Sequence, residues 1–333
     1  MARTVEGAFT QFRQTIVDLD PNQVAIARAS RDWLYGQMQN LVDIHASMPP
    51  LGDYRHWFGS FNRRTKIREL DDIDMMITLD GTDCVSQDSL FAAYTVNVAA
   101  ADTAPLAGFR DQNGYVNSIR ILNGIKTALI TVPQYNKAEF HRRGEAVTLK
   151  LSSYPWTFDI VPAIEVWNST RTGQHFLIPD GNGAWKKTDP RLDAAYTTRI
   201  NTMHNNVALP TIRLLKYWKE HNLPGEIGSY YFETLALKTF ELQISSLTTI
   251  RQAVSVFFYY VGSWLLSTCP DPKGLEPALD RDISSTIKWQ ANNKIQAAAT
   301  IIRSAMSNEA RGYQQPAIGY WRQVFGSEFP SYG

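Results

Sequence analysis

Two aspartates, Asp72 and Asp74, open an apolar run that continues to Leu79. Side chains two residues apart on a strand point to the same face, so the two carboxylates would lie side by side. Like charges that close repel each other, and a hard dication such as Mg²⁺ relieves the repulsion while it also binds triphosphate oxygens. A glycine-serine pair, Gly59-Ser60, and a basic segment precede the aspartates. The stretch therefore predicts a place where a divalent metal is held against a nucleoside triphosphate.

A third acid, Asp159, lies inside a second apolar segment, Trp156 to Val166. A buried carboxylate is costly unless it is paired or metal-bound, so Asp159 is the best candidate for a further ligand. Three carboxylates could hold two metal ions, one lowering the pKa of an attacking ribose hydroxyl and the other holding the triphosphate and its leaving pyrophosphate. We therefore predict two Mg²⁺ ions bound by Asp72, Asp74 and Asp159, with Mn²⁺ able to substitute.

The residues upstream of the aspartate pair are suited to phosphate. Gly59 allows close backbone approach, and the Ser60 hydroxyl with the free amides of a following helix can cradle a phosphate group. Arg63, Arg64 and Lys66 could neutralise phosphates or contact an acceptor nucleotide. Each signal is weak alone, because an Asp-x-Asp pair is usually a solvated strand end and Gly-Ser pairs are common. Their conjunction favours a nucleotide site.

The composition is that of an ordinary globular protein: 333 residues, 44% hydrophobic, with a net charge of +1. This charge gives no global basic field, so no long nucleic-acid substrate is indicated. Cys84 and Cys269 show neither disulfide-framework nor zinc-ligand spacing. The N-terminal residues lack the apolar core of a signal peptide, and the most apolar stretch, Val254 to Leu266, is too short to span a bilayer. We therefore expect a cytoplasmic protein without a membrane segment.

The apolar pattern changes near residue 188, where we place a boundary between a catalytic core (1–188) and a helical lobe (189–333). The predicted helices are Pro21 to Met48, Tyr115 to Thr127, Pro190 to Asn206, Pro210 to His221, Ser229 to Leu242, Thr248 to Leu266 and Arg281 to Met306. The predicted strands are Arg55 to Phe58, Ile73 to Leu79, Ala128 to Val132, Ala146 to Ser152 and Trp156 to Val166.

Two segments are less regular. A hairpin is predicted from Val166 to Lys187, with Asp180-Gly181-Asn182-Gly183 as a plain turn at its tip and a phosphate loop as the weaker alternative. Leu90 to Ala101 has a helical composition without clear caps.

Several motifs together resemble the polymerase-β-like nucleotidyltransferases: Gly59-Ser60, Asp72-Ile73-Asp74 and Phe158-Asp159-Ile160-Val161-Pro162-Ala163. Within that superfamily the chain is similar to the branch that contains 2′-5′-oligoadenylate synthetase, cyclic GMP-AMP synthase and the bacterial cGAS/DncV-like enzymes. The helical half carries three further likenesses to this branch, in Arg213-Leu214-Leu215-Lys216-Tyr217-Trp218, Ser229-Tyr230-Tyr231-Phe232-Glu233 and the C-terminal aromatics around Trp321 and Phe329. A Cys/His insertion like the zinc thumb of the animal DNA sensor is missing from the sequence, so activation by long DNA through that element is not supported.

The resemblance implies a two-lobed α/β (α+β) fold, with a mixed sheet lobe and a C-terminal helical lobe bridged by a long N-terminal helix. It also implies that Lys216 and Ser229 contact the donor phosphates and that Tyr230 stacks on the donor base, while the C-terminal aromatics pack. The expected reaction joins ATP and/or GTP into a short cyclic oligonucleotide for bacterial anti-phage (CBASS) signalling. Expected partners are a downstream effector that recognises the product and a regulatory protein.

Two other functions stay open at this point. One is template-independent transfer of nucleotides to an RNA end or to a protein, which a basic surface or an added RNA-binding module would mark; neither is evident in the sequence. The other is an inactive nucleotide sensor. Such proteins usually lose a metal carboxylate, whereas this sequence keeps all three candidates.

Overall fold

The computed structural model describes residues 1–167, 174–223 and 225–333. Its helices are α1 (Val5–Phe12), α2 (Pro21–Ile44), α3 (Gly59–Asn62), α4 (Ser118–Ile130), α5 (Pro190–Met203), α6 (Ala208–Asn222), α7 (Ser229–Glu241), α8 (Ile250–Leu266), α9 (Ser285–Ala310) and α10 (Gln314–Phe325). Its strands are β1 (Leu51–Trp57), β2 (Asp72–Leu79), β3 (Cys84–Asp88), β4 (Val96–Ala100), β5 (Glu139–Arg143), β6 (Ala146–Lys150), β7 (Thr157–Trp167), β8 (Gln174–Pro179) and β9 (Trp185–Thr188).

One mixed sheet organises the first half of the chain. Within the described residues its nine strands follow the order β1-β2-β7-β8-β9-β4-β3, and the β5–β6 hairpin joins through β6. Strand β7 is central: β2 runs parallel to it on one side, and β6 and β8 pair antiparallel with its two halves on the other. The parallel register sets Asp74 directly opposite Asp159. Two acids that are 85 residues apart in sequence thus become neighbours on one face of the sheet.

The two faces of β2 differ sharply in character. Ile73, Met75 and Ile77 point into a hydrophobic core that α2 and α4 cover. Asp72 and Asp74 alternate with these residues and therefore lie on the opposite face, as the two-residue period of a strand requires. Apolar burial on one face thus holds the carboxylates on the other.

A second hydrophobic core lies among the C-terminal helices. The aromatics at the C-terminus are packing residues, as predicted: Trp321 and Phe329 are fully buried, and the Phe9 ring meets the Trp321 ring edge-on at 4.9 Å between centroids. Helix α1, which carries Phe9, thereby joins this core although it begins the chain. The lobe boundary near residue 188 stays a prediction.

Most predicted elements are found with small shifts at their ends. Asp20 caps α2 by accepting hydrogen bonds from the amides of Asn22 and Gln23, with Pro21 in the first turn. The turn after β8 is confirmed, because the Asp180 amide donates to the Ala184 carbonyl across it. Residues 168–173 of the predicted hairpin lie outside the described residues.

The structure resolves one ambiguous segment and shows that one predicted element is wrong. The segment from Leu90 to Ala101 is a turn followed by β4, in which Val96 and Val98 are buried at the two-residue period of a strand. The segment predicted as a strand from Ala128 begins as the last turn of α4, where Ala128 and Leu129 continue the buried helical face. Sheet and helix packing, rather than local composition, decide both cases.

The sequence patterns also missed four short elements: α1, α10, β3 and β5. In the described part of the chain, every helix is too short or too polar to cross a membrane.

Candidate active site

The floor of the site is the face of the sheet that carries Asp72, Asp74 and Asp159. Burial, together with the charges of Asp72 and Asp159, raises the pKa of Asp74 to about 7, while Lys66 and Arg63 oppose the change. Burial also raises the pKa of Asp159, against a hydrogen bond of 2.7 Å that its Oδ1 accepts from the Thr148 hydroxyl. The carboxylates of the floor therefore carry more negative charge than the nearby cations neutralise.

Gly59 is required beside this floor for two reasons. Its φ is +72°, a conformation that side chains disfavour, and a Cβ atom placed on it would lie 1.7 Å from Asp74 Oδ2. Glycine therefore lets the turn before α3 press its backbone against the carboxylate. Ser60 follows in the first turn of α3 and lines the cavity above the carboxylate floor.

The donor set suits a hard cation, since it consists of carboxylate oxygens with surplus negative charge. Within residues 1–167, 174–223 and 225–333, however, no three acidic, histidine or cysteine side chains are close enough to form a ready-made metal site. The Lys66 ammonium pairs with both Asp71 and Asp72. Asp159 is likewise held by Thr148. We conclude that the residues fit a divalent cation, with Lys66 as the present counter-charge of Asp72.

Helices α6 and α7 form the opposite wall. Ser229 begins α7, and its hydroxyl donates to Glu220 Oε1 at 2.9 Å and lies 3.3 Å from the Lys219 ammonium. The Tyr230 hydroxyl donates to Asp193 Oδ1 at 2.6 Å, which fixes the ring at the cleft. Lys216 on α6 is buried, with its Nζ 3.6 Å from Glu233.

Floor and wall enclose a cavity of about 750 Å³. Most of the predicted site residues line it: Gly59, Ser60, Arg63, Lys66, Asp72, Asp74, Lys216, Ser229 and Tyr230. Asp159 lies next to Asp74 on β7 and is not itself part of the lining.

Arg64 is the residue that the structure separates from the others. It is exposed, has a φ of +62°, and lines a neighbouring pocket instead of this cavity. Its carbonyl accepts a hydrogen bond of 2.7 Å from Arg213, which fixes its backbone. A phosphate or acceptor contact for Arg64 stays a prediction, and the geometry gives it no support.

Several cavity-lining residues were not proposed from the sequence, and among them are Asp193, Glu233 and Lys273. The sequence could have indicated Glu233, because it completes the Ser-Tyr-x-x-Glu pattern of α7. No sequence pattern indicates Asp193 or Lys273, since Asp193 lies in an ordinary helix and Lys273 in the segment between α8 and α9. Lys273 is buried beside Tyr230, with its Nζ 2.8 Å from Asp271 and 3.1 Å from the Tyr230 hydroxyl.

Comparison with known proteins shows to which family the chain belongs. No protein-family model matches the chain. Over 334 residues it is 38% identical to a Bacillus cereus (strain VD146) protein named "Probable cyclic nucleotide synthase", a match that covers 100% of this chain and 99% of the relative. This chain belongs to the cGAS/DncV-like nucleotidyltransferases. It is accordingly a nucleotidyltransferase of the cyclic nucleotide synthase class.

Two further relatives agree. A cyclic AMP-AMP-AMP synthase of an Acinetobacter species is 27% identical over 225 residues, which are 63% of this chain and 60% of that protein. The structure of E. coli CdnC with ATP matches at a TM-score of 0.70 and 17% identity, covering 97% of this chain and 98% of that one. CdnC has also been solved in a complex with HORMA-deltaN. The predicted family and the predicted bilobed fold are both confirmed, whereas the roles of individual residues stay predictions.

Proposed function

We propose that this protein joins nucleoside triphosphates, ATP and/or GTP, into a short cyclic oligonucleotide and releases pyrophosphate. The observation that carries the proposal is the parallel β2–β7 register, which gathers Asp72, Asp74 and Asp159 at the floor of a cleft. A wall from α6 and α7 faces that floor and carries Lys216 and Ser229, the proposed phosphate contacts. The carboxylate floor and these contacts together suit a triphosphate whose α-phosphorus is attacked by a hydroxyl.

In the reaction, a ribose hydroxyl oxygen forms a bond to the α-phosphorus and the bond to the β-phosphate oxygen breaks. Asp159 takes part in removing the hydroxyl proton, and a raised pKa makes its carboxylate a better proton acceptor than an ordinary aspartate. Divalent cations, if held by Asp72, Asp74 and Asp159, would lower the pKa of the attacking hydroxyl and compensate the charge of the leaving pyrophosphate. Repetition of this step on the second nucleotide closes the ring.

The donor nucleotide lies across the cleft. Lys216 and Ser229 contact its phosphates, and Tyr230 stacks on its base, a contact that tolerates any base because every base has a π-face. Gly59 and Ser60 approach the phosphates from the floor. Mg²⁺ is the proposed metal because carboxylate and phosphate oxygens are its preferred ligands.

The biological setting is proposed from the relatives. A bacterial synthase of this kind would act in the cytoplasm as part of anti-phage (CBASS) signalling, with an effector that recognises its product. The CdnC complex supports a regulatory protein partner for this chain as well. Because the Acinetobacter relative is named a cyclic AMP-AMP-AMP synthase, a product of three nucleotides is a specific alternative to a dinucleotide.

The test is a product analysis. The purified protein is incubated with all four nucleoside triphosphates and Mg²⁺, treated with phosphatase, and the resistant products are identified by mass. A small phosphatase-resistant oligonucleotide supports the proposal. Long or RNA-linked products would favour end addition, and nucleotide binding without turnover, also in the presence of candidate activators, would favour a sensor.

A further inference from the structure

Glu233 of α7 is a buried carboxylate to which the proposed reaction assigns no role. Its side chain is 1% exposed, and both of its oxygens are occupied. Oε1 accepts a hydrogen bond of 2.8 Å from Arg63 Nε, and Oε2 accepts one of 2.9 Å from the Thr65 hydroxyl. The Lys216 ammonium lies 3.6 Å from Oε2. Two cations and a hydroxyl thus converge on one acid.

The partners of this acid come from both walls of the cleft. Arg63 and Thr65 lie just after α3, beside the carboxylate floor, whereas Lys216 lies on α6. Burial by itself would raise the pKa of Glu233, but the charges of Arg63 and Lys216 lower it, so the carboxylate is ionised. Buried ion pairs of this kind contribute little net stability, because desolvation offsets their attraction. Their geometry is therefore the better guide to their role.

Both cations that pair with Glu233 also face the part of the cleft where the nucleotide is expected. Lys216 lines the cavity where donor phosphates are expected. The guanidinium carbon of Arg63 lies 5.4 Å from the centroid of the Tyr230 ring, within the range of a cation–π contact. One carboxylate therefore fixes a cation at the phosphate end and another against the ring that is expected to stack on the base. Without it, Arg63 and Lys216 would repel each other.

We propose that Glu233 is a positioning residue for the donor nucleotide. It holds Lys216 at the phosphates and Arg63 against Tyr230 without touching the nucleotide itself. This inference rests on the proposed function only in that a nucleoside triphosphate binds in this cleft.

The first test replaces the charge and keeps the shape. Isothermal titration calorimetry with an ATP analogue that carries a methylene group between the α and β phosphates measures binding without turnover. We expect Glu233→Gln to raise the Kd of the analogue by about 10- to 100-fold, as misplacement of aligned groups does. Glu241→Gln is the matched control, because Glu241 ends the same helix and pairs with Arg199 outside the cavity. It should leave the Kd unchanged.

The second readout is the pH profile of that Kd, which a merely structural role would not move. Lys216 is faced by Glu233 from α7 and by Arg63 and Lys66 from the segment after α3. Burial lowers the pKa of Lys216, and Glu233 opposes that change. Losing the carboxylate lowers this pKa further, so in Glu233→Gln binding should weaken at a lower pH than in the wild type. An unchanged Kd with an unchanged profile in a folded variant would overturn the proposal.

A second variant, Glu233→Asp, provides the same Kd measurement if Glu233→Gln does not fold. The shorter side chain leaves a negative charge for Arg63 and Lys216 but cannot reach both of them, so the Kd should rise about three- to tenfold. An unchanged Kd in this variant would also count against the positioning role.

The two proposals fail in different ways. A wild-type protein that binds the analogue but makes no cyclic product removes the proposed function, while the Kd series still decides the role of Glu233. A wild-type protein that does not bind the analogue removes both.

Discussion

The two walls of the cleft handle their charges in opposite ways. On the sheet, Asp72, Asp74 and Asp159 crowd together, and the pKa values of Asp74 and Asp159 are raised. On the helical side, buried charges are matched within the protein: Glu233 is held by Arg63 and Lys216, and Lys273 by Asp271. The proposed divalent cation would complete the sheet side, whereas the charges of the helical side are already paired.

This contrast also explains the division of labour between the walls. Surplus negative charge is a strained arrangement that persists because the hydrophobic core on the other face of β2 and β7 fixes the strands. A satisfied network, by contrast, orients its members without a ligand. In the proposed function, chemistry takes place at the sheet wall and the donor is recognised by the helical wall. Four changes can break or sharpen this view.

The largest effect should follow from Asp72→Asn combined with Asp74→Asn. Product formation should fall by about 10³-fold or more, because several kcal/mol of metal-based stabilisation are lost. The fold should survive, since the change removes repulsion from the floor. Product yield and thermal unfolding measure the two results, with the exposed Asp88→Asn on β3 as the control. Retained synthesis in the double variant would remove the floor from the mechanism.

Gly59→Ala should come next. The added Cβ would collide with the Asp74 carboxylate and strain a backbone at φ +72°. Displacement of the carboxylate by about 1 Å should cost about 100-fold in kcat/KM. Gly36→Ala is the matched control, because a Cβ at that position of α2 meets no atom within 4 Å. Equal activity of the two variants would show that close contact with Gly59 does not matter.

A smaller effect is expected on the helical wall. Tyr230→Ala should raise the KM for the donor roughly tenfold, since stacking of a base on an aromatic ring contributes about 1–3 kcal/mol. Tyr230→Phe keeps the ring and loses only the hydrogen bonds of the hydroxyl with Asp193 and Lys273, so its KM should stay near that of the wild type. Tyr259→Ala on the exposed side of α8 serves as the control. A KM that responds equally to Phe and Ala would assign the effect to the hydroxyl.

The smallest change concerns stability without metal. Because the pKa of Asp74 is raised from 3.8 to about 7, the folded protein binds this proton more tightly than the unfolded chain does. Its contribution is present below pH 4 and is lost as the pH rises through about 7. In EDTA, the melting temperature should therefore fall by a few degrees between pH 5 and pH 8 relative to Asp74→Asn.

Adding Mg²⁺ at pH 8 should raise the melting temperature of the wild type again, because a ligand that binds only the folded state stabilises it. Identical pH slopes for the wild type and Asp74→Asn would show that the carboxylate floor carries no excess charge.

The outcome of the sequence predictions follows the range of the interactions involved. Asp72 and Asp74 were placed on one face from the two-residue period of a strand alone. The long helix α2 was found from Asp20 and Pro21 at its start, and helices α6 and α7 from their apolar spacing. Leu90 to Ala101 was ambiguous in the sequence because Val96 and Val98 take their structure from neighbouring strands rather than from their own composition.

By itself, the sequence determined the family, the bilobed fold and the residues that could bind metal and nucleotide, because those signals are local motifs. The tertiary structure alone decided which of them meet. The β2–β7 register brought Asp159 beside Asp74, and the contact between α7 and the segment after α3 joined Glu233 to Arg63 across 170 residues of sequence. It also turned Arg64 away from the cavity that its neighbour Arg63 lines. Contacts over such distances depend on strand pairing and helix packing, which no local pattern encodes.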